Sequence, residues 1–543
     1  MIKKHVFPLL LIIALCFIVL SPSLNNKFTN FDDDLLITEN MAIRTCSFNT
    51  IKYIFTNPIN FEYRPITYIL YTVQYKFFGL NPRGYHAVSL ILHLLNTALI
   101  FIFAMVLTKH YFIAIFTSII FGIHPLQVQS VAWIAGQDDL VYTTFYLLTL
   151  IYYSTQKRVG NRIYHLFCYT LFSLALLSKP LAVTIPFALV LIDFYSEGKL
   201  AVKQLINKIP FIIIALAWAG FTINILNNSY LTQDFVNIYK RIMDLILTAY
   251  ELCLYSLKII LPVKLACVYP TPSASSLPVV LSVIIFPLIV YTLYRIAKKD
   301  RLIIFGTLFA GITILPVLHF FVNHAMSDHR VYLPMLGISL IISKLLINLQ
   351  GFLNKSVYNH LGTVTVITFC VLITTTSSFL SNSRTKVWFN SYSLWNTTLK
   401  DYPGYALALT FRGYAYYYDG QYDKALRDYN ESLSIMVHTR TLMDRGAVYY
   451  AIGEYEAAIA DFSLSINSSM YKFKALLLRG NTYYKMKKYQ NAIDDYTETI
   501  KLNPSYGPAY LNRATVYSET GNKDLATADF LQARILGYTN TQK

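Results

Sequence analysis

Asn30-Phe31-Asp32-Asp33-Asp34 is the stretch that decides how this chain is built. Three consecutive carboxylates repel one another and hydrocarbon cannot solvate them, so they must face water or a partner. Yet the stretch lies between two hydrophobic runs, Val6 to Leu20 before it and Tyr85 to Leu107 after it. An acidic loop strung between apolar runs is a feature of a membrane protein, and the rest of the chain tells which face the loop takes.

The chain has 543 residues, 55% of them hydrophobic, with a mean hydropathy of +0.43, which excludes an ordinary soluble globule. Apolar runs recur down to about Leu380 and then stop. They predict spans near 6–20, 85–107, 112–131, 139–155, 164–178, 180–195, 209–226, 278–296, 302–322, 332–349 and 358–380, about eleven in all. In a soluble protein the net charge of +17 would suggest nucleic acid. Here the cations fall in short loops and set orientation instead. Lys3/Lys4, Lys109, Lys157/Arg158/Arg162, Lys199/Lys203/Lys208, Arg295/Lys298/Lys299/Arg301 and Lys344/Lys355 all come to the inner side. Ser21-Pro22-Ser23-Leu24 is a poor cleavage site, so the first run reads as an uncleaved signal anchor.

The stretch 243–262 is apolar but carries Glu251 and Lys258 and ends at Leu261-Pro262. Counted as a span it would put Arg295 to Arg301 outside, so it reads as an interfacial or re-entrant helix. Eleven spans then place the C-terminus outside. The outer face receives the loop 21–84, the Gln137-Asp138-Asp139 turn, the region 227–277, and Asn323-His324 through Arg330.

Beyond Ser381 a period of about 34 residues replaces the apolar runs. Arg412-Gly413, Arg445-Gly446, Arg479-Gly480 and Arg513-Ala514 mark it. Each marker is followed at fixed distances by a tyrosine (Tyr416, Tyr449, Tyr483, Tyr517), an alanine (Ala425, Ala458, Ala492, Ala526) and an aromatic (Tyr429, Phe462, Tyr496, Phe530). Small residues where helices cross, with aromatics filling the gaps, predict a helical solenoid. The pattern resembles the tetratricopeptide repeat over 405–536. Gly420, Gly453 and Gly521 hold the inter-helix turns, and Lys487 replaces glycine in the third. The expected organisation is a membrane domain over 1–380, a connecting and capping helix over 381–404 with Trp388, Tyr392 and Trp395, and an extracytoplasmic repeat domain of about four repeats over 405–543. The fold class is all-α.

Further strings run in order along the membrane half: Asn30-Phe31-Asp32-Asp33, Tyr63-Arg64-Pro65-Ile66-Thr67, Gly79-Leu80-Asn81-Pro82 and Gly84-Tyr85-His86. They continue as His124-Pro125-Leu126, Val131-Ala132-Trp133-Ile134-Ala135, Asp139-Leu140, Leu177-Ser178-Lys179-Pro180 and Asp328-His329-Arg330-Val331-Tyr332-Leu333-Pro334. Together with the repeats, the chain resembles the transmembrane and tetratricopeptide-repeat-containing glycosyltransferases and their bacterial relatives. The resemblance implies the C-type glycosyltransferase fold, a catalytic acidic motif in the first outer loop, and a polyprenyl-phosphate-linked sugar donor. It also implies a bacterial-type, inner-membrane protein. Gln129 departs from the pattern, which has an acidic residue after the His-Pro motif.

Chemistry assigns candidate roles. A polyprenyl-phosphate leaving group needs little protonation, so a single carboxylate suffices as base on the acceptor hydroxyl of an inverting transfer. Asp32 and Asp33 are the candidates, Asp32 favoured because it directly follows the aromatic. The donor phosphate calls for cations, and Arg330, His329 and Arg64 lie on the outer side. Lys179 is placed to reach a headgroup, Asp138 and Asp139 to orient the acidic motif or bind a cation, and His124 to end a helix or join the site. No cofactor is expected: no spacing demands a divalent metal, and Cys16, Cys46, Cys168, Cys253, Cys267 and Cys370 form no metal pattern. The acceptor is a protein Ser or Thr hydroxyl or a glycan, with the repeats binding the acceptor or a partner protein. The competing reading is a non-catalytic membrane scaffold carrying a solenoid; a transporter would need its polar groups at the midplane.

Overall fold

The computed structural model describes residues 2–60, 62–156, 162–225, 238–273, 275–298, 300–318, 326–356, 360–468 and 471–538. Asn323-His324 and the basic residues Lys157, Arg158 and Lys299 lie outside them. The chain divides into two compact units, Met1–Leu394 and Trp395–Lys543. Among the described residues both are helical and no strand forms.

The first unit begins with α1 (Ile2–Leu20), followed by a long helical connection with α2 (Phe48–Thr56) and α3 (Pro65–Phe78). Then come α4 (Pro82–Thr108), α5 (Tyr111–Ile123), α6 (Val128–Ala132), α7 (Gln137–Gln156), α8 (Arg162–Ser178), α9 (Ile185–Glu197), α10 (Val202–Ile206) and α11 (Ile209–Ile225). It closes with α12 (Ile238–Ile260), α13 (Leu277–Ala297), α14 (Arg301–Ile314), α15 (Pro334–Ser356) and α16 (Leu361–Val387). Seven helical stretches among the described residues are long and apolar enough to cross a membrane: Val6–Asn25, Pro82–Thr108, Pro180–Glu197, Val202–Thr222, Leu277–Ala297, Pro334–Asn354 and Leu361–Val387. The unit is a multi-pass membrane bundle.

Four expected spans take other forms. The run 112–131 breaks at His124-Pro125, where α5 and the following helix meet at 54°; proline has no N–H to continue the ladder. The run 302–322 gives a helix that closes in a 3₁₀ turn, Leu315–Val317, around Pro316. The helix from 164 to 178 is a shorter apolar one, His165–Ser178. The fourth, α7, is rich in Thr, Tyr and Gln and carries Asp138 and Asp139 in its first turn. It buries Leu140, Tyr142, Tyr146, Leu147 and Leu150, so neighbouring helices rather than lipid surround much of it.

α12 buries Thr248, Glu251, Tyr255 and Lys258 along one face and exposes Ile242, Leu245, Leu257 and Ile260 on the other. Polar side in and apolar side out is the arrangement suited to a helix at the edge of hydrocarbon. α16 runs past the expected end of its span to Val387, so Trp388 caps this helix rather than joining the next.

The second unit contains most of α17 (Ser391–Asp401), then α18 (Ala406–Tyr418), α19 (Tyr422–Ile435), α20 (Thr439–Ile452), α21 (Tyr455–Ser465), α22 (Lys472–Lys485), α23 (Tyr489–Leu502), α24 (Gly507–Glu519) and α25 (Lys523–Ile535). They pair as four helical hairpins. The marker glycines let the helices approach: a Cβ on Gly413, Gly446 or Gly480 would come within 2.8 Å of the ring of Tyr429, Phe462 or Tyr496. The marker arginines do more than mark. Each reaches the second helix of its own repeat as a two-pronged pair, Arg412 with Asp428, Arg445 with Asp461, Arg479 with Asp495 and Arg513 with Asp529. The same guanidinium donates backward to Asn396, Asn430, Ser463 and Thr497 in turn. Trp395 stacks on Phe411 with centroids 4.8 Å apart. Through Asn396 and Trp395, α17 plays the part of a preceding second helix and seals the first repeat.

Candidate functional site

Five segments distant in sequence meet around the acidic loop. Asp33 is buried. Its Oδ2 accepts from the backbone N–H and hydroxyl of Thr29 at 2.9 and 3.0 Å, and its Oδ1 from the N–H of Ala135 at 2.9 Å. Burial pushes its carboxyl up to about 7, against the lowering effect of those bonds. Asp33 therefore closes its own loop and fastens it to the turn before α7. Asp32 is only half-buried and holds a left-handed backbone, φ +64°. Such a conformation costs an L-residue energy and persists where the surroundings over-determine it. Asp34 accepts from the next backbone N–H, that of Leu35.

Phe31 lies against Trp133, centroids 4.9 Å apart, and the Trp133 indole donates to the Phe31 carbonyl. Trp133 also faces His329 at 5.2 Å and Trp388 at 6.3 Å. An aromatic wall thus backs the acidic loop.

A chain of alternating charges runs beside it. Arg64, at the start of α3, pairs with Glu62 and with Asp138. Lys179 bonds Asp139 at 2.7 Å and Asp138 at 3.1 Å. Asp32 is near enough to Glu62 for their charges to interact. The connection between α1 and α4 is seated by α3: the Tyr71 hydroxyl donates to the Ile134 carbonyl at 3.1 Å and the Thr67 hydroxyl to the Ser178 carbonyl at 3.1 Å.

The Asp328-His329-Arg330 segment closes the other side. Asp328 is buried, accepts from the Tyr269 hydroxyl at 2.6 Å and pairs with Arg384 at 3.5 Å. Burial raises its carboxyl to about 6, opposed by Arg384. His329 is held well below the usual imidazole range, first by burial and then by the cations Lys179, Arg330 and Arg64. It is neutral near pH 7 and offers a hydrogen bond rather than a charge. Arg330 donates to the Val317 carbonyl at 2.8 Å, and no carboxylate pairs with it among the described residues.

The sequence candidates therefore part company. Asp32, Asp33, Arg64, Asp138, Asp139, Lys179, His329 and Arg330 converge. Lys179 is buried between two aspartates rather than free to take a headgroup, and Arg64 is largely committed to carboxylates. His124 does not join them: its Nε2 bonds the Ile259 carbonyl at 3.0 Å and its Nδ1 accepts from Leu126 N–H at 3.3 Å, a helix-end role. Glu62, Trp133 and Trp388 were not singled out as site residues. Glu62 is separated from Arg64 by one residue, and that spacing was its only signal. Gln129 acquires a reason. Its Oε1 accepts from the His329 N–H at 3.2 Å while its amide donates to the Cys267 carbonyl at 3.2 Å and to Ser327 Oγ at 3.0 Å. A carboxylate accepts only, so it could not make both kinds of bond.

Among the described residues no group of three His, Cys, Asp or Glu side chains is arranged to hold a metal ion.

Tetratricopeptide-repeat family profiles match residues 406–436 and 473–506. A protein O-mannosyl-transferase of Caenorhabditis elegans is 24% identical over 359 residues, covering 63% of this chain and 49% of that protein. The human protein O-mannosyl-transferase TMTC2 is 32% identical over 92 residues, 17% of this chain and 11% of that protein. The chain thus spans about half the length of the worm relative or less of the others it matches. Among solved structures, that of MamA is 23% identical and covers 29% of this chain and 93% of its own, with a TM-score of 0.27. This chain, with its multi-pass bundle and its repeats, is thus similar over part of its length to protein O-mannosyl-transferases and, over two segments, to tetratricopeptide repeats.

Proposed function

We propose that the membrane unit transfers a sugar, mannose by analogy with its relatives, from a polyprenyl-phosphate carrier to a hydroxyl of a protein acceptor at the extracytoplasmic face. The observation that carries this reading is the division of labour between Asp32 and Asp33. Asp33 spends both oxygens on holding the loop, whereas Asp32 is partly exposed, in a left-handed conformation, within electrostatic reach of Glu62. Asp32 is then the base that takes the acceptor proton as the anomeric bond to phosphate breaks with inversion. Arg330 receives the departing phosphate, because Arg64 and Lys179 are balanced by carboxylates. His329 adds a neutral donor, and the aromatic wall of Phe31 and Trp133 gives the sugar an apolar face. The solenoid holds the acceptor or a partner protein.

Purified protein supplied with polyprenyl-phosphate mannose and a Ser/Thr-containing acceptor tests this. Asp32→Asn keeps the shape and removes the proton acceptor, so turnover should fall about a hundredfold or more with the thermal transition unchanged. Arg330→Ala should raise the apparent KM for the donor and leave that for the acceptor, with Arg330→Lys rescuing only partly, because a point charge replaces a two-pronged donor. Transfer at the parental rate by Asp32→Asn would remove the enzyme reading and leave the scaffold in its place.

A further inference from the structure

We propose that residues 381–391 form a strap that holds the Asp32 loop in its working conformation, with Ser391 as the positioning residue. Crossing a membrane does not require this stretch. α16 has 27 residues, which at about 1.5 Å per residue rise roughly 40 Å, against a hydrocarbon core of about 30 Å. Its last turns are surplus to the span.

Those turns, and the step into α17, are stitched to the residues just before the acidic motif. The Asn26 side-chain amide donates to the Thr385 carbonyl at 3.2 Å, the Lys27 N–H to the Phe389 carbonyl at 2.8 Å, and the Asn30 N–H to Ser391 Oγ at 3.0 Å. Trp388 is fully buried, 6.4 Å from Phe31 and 6.3 Å from Trp133 between centroids. The strap is itself fixed to the bundle. Ser381 Oγ donates to the Ile123 carbonyl at 2.7 Å, the Asn382 amide to the Val19 carbonyl at 3.2 Å, and Arg384 pairs with Asp328 at 3.5 Å.

The need for such an element follows from the Asp32 backbone. A left-handed backbone at a non-glycine residue is less favourable than a right-handed one, even for aspartate, and bonds on both flanks help to hold it. Asp33 fixes the downstream flank to Ala135 and closes the loop back onto Thr29, and the strap anchors Asn26, Lys27 and Asn30 on the upstream side to the end of α16 and the start of α17. Of its three bonds to the loop, the one from Ser391 lies closest to Asp32 and is made by a side chain, so a single substitution removes it. The same strap brings Arg384 to Asp328, so one stretch of chain steadies both the base loop and the segment carrying His329 and Arg330.

The catalytic consequence rests on the transferase reading above; the structural one does not, and the experiment separates them. Full-length protein in lipid nanodiscs is compared as wild type, Ser391→Ala and Ser391→Thr, by amide hydrogen exchange over residues 26–36 and by steady-state transfer. Ser391→Ala should speed exchange in that peptide by about fivefold, the loss of one hydrogen bond. It should lower kcat several-fold with the donor KM unchanged, and Ser391→Thr, which keeps the hydroxyl, should restore both. Unchanged exchange in Ser391→Ala overturns the strap, whatever the activity. Faster exchange with full kcat in an active enzyme overturns the positioning role. A wild type without transfer refutes the transferase reading, while the exchange result still decides the strap.

Discussion

Asp32 and Asp33 are neighbours with the same side chain, and the backbone separates their fates. At the left-handed turn of Asp32 the chain carries Asp33 inward to Thr29 and Ala135, while Asp32 itself stays partly exposed. A buried carboxyl with a folded pKa of about 7, against 3.8 in the open chain, contributes stability that is complete below about pH 4. That contribution is lost as pH rises through 7, because the unfolded chain ionises first. The thermal transition of the membrane unit should therefore decline by a few degrees from pH 5 to pH 8. Asp33→Asn should flatten that decline, lying below wild type at pH 5 and closing the gap at pH 8 in a calorimetric scan. Parallel pH profiles for the two would mean that Asp33 is ionised throughout. At Gln129 the amide works in both directions at once. Gln129→Glu should cost about 1–3 kcal/mol, the penalty for a buried polar group left unsatisfied. Chemical denaturation would detect it, and the isosteric Gln129→Met should cost a similar amount through the lost His329 and Cys267 bonds.

At the scale of elements, the solenoid repeats one set of contacts four times, so its departures are informative. Gly420, Gly453 and Gly521 turn between paired helices with positive φ, and Lys487 makes the corresponding turn at φ +60° with a side chain attached. Lys487→Gly should stabilise the solenoid by about 1 kcal/mol, seen as a rise in its calorimetric transition, because glycine adopts that conformation freely. An unchanged transition would mean that the Lys487 side chain offsets the strain. The Arg–Asp pairs were legible in principle: Asp428, Asp461, Asp495 and Asp529 stand at a constant distance from the marker arginines. The arginines both precede the small-residue positions and carry the pairing through their own side chains. In the membrane half, the proline break at His124-Pro125 is equally a local event, yet its product is not local. It turns the chain so that Gln129 and Trp133 reach segments some 200 residues away.

For the whole molecule, the distribution of cations predicts the orientation. Lys109, Arg301 and Lys344 line a cavity of about 1030 Å³ at one end of the bundle, with Thr108 at the C-terminal end of α4 and Ser154 and Thr155 near that of α7. Asp138 of the acidic network lies at the opposite end of α7, where Gln137 donates to the Tyr85 carbonyl near the start of α4. A reporter fused after Lys543 should register outside the cytoplasm and one inserted at Lys109 inside it; a cytoplasmic C-terminal reporter would change the number of crossings. What the sequence determined by itself was whatever depends on period and local chemistry: the apolar runs, the 34-residue repeat, the order of motifs, and the identity of most polar groups that meet at the site. These are properties of residues near one another in the chain, and hydrophobic burial acts on them wherever they go. Only the tertiary structure decided which aspartate is spent on the loop, that Lys179 and Arg64 are already paired, that His124 stands apart, and that the end of α16 reaches back to Asn26–Asn30. Each of those outcomes depends on a partner distant in sequence, and a hydrogen bond or ion pair is chosen by distance and desolvation in space, which spacing along the chain does not encode.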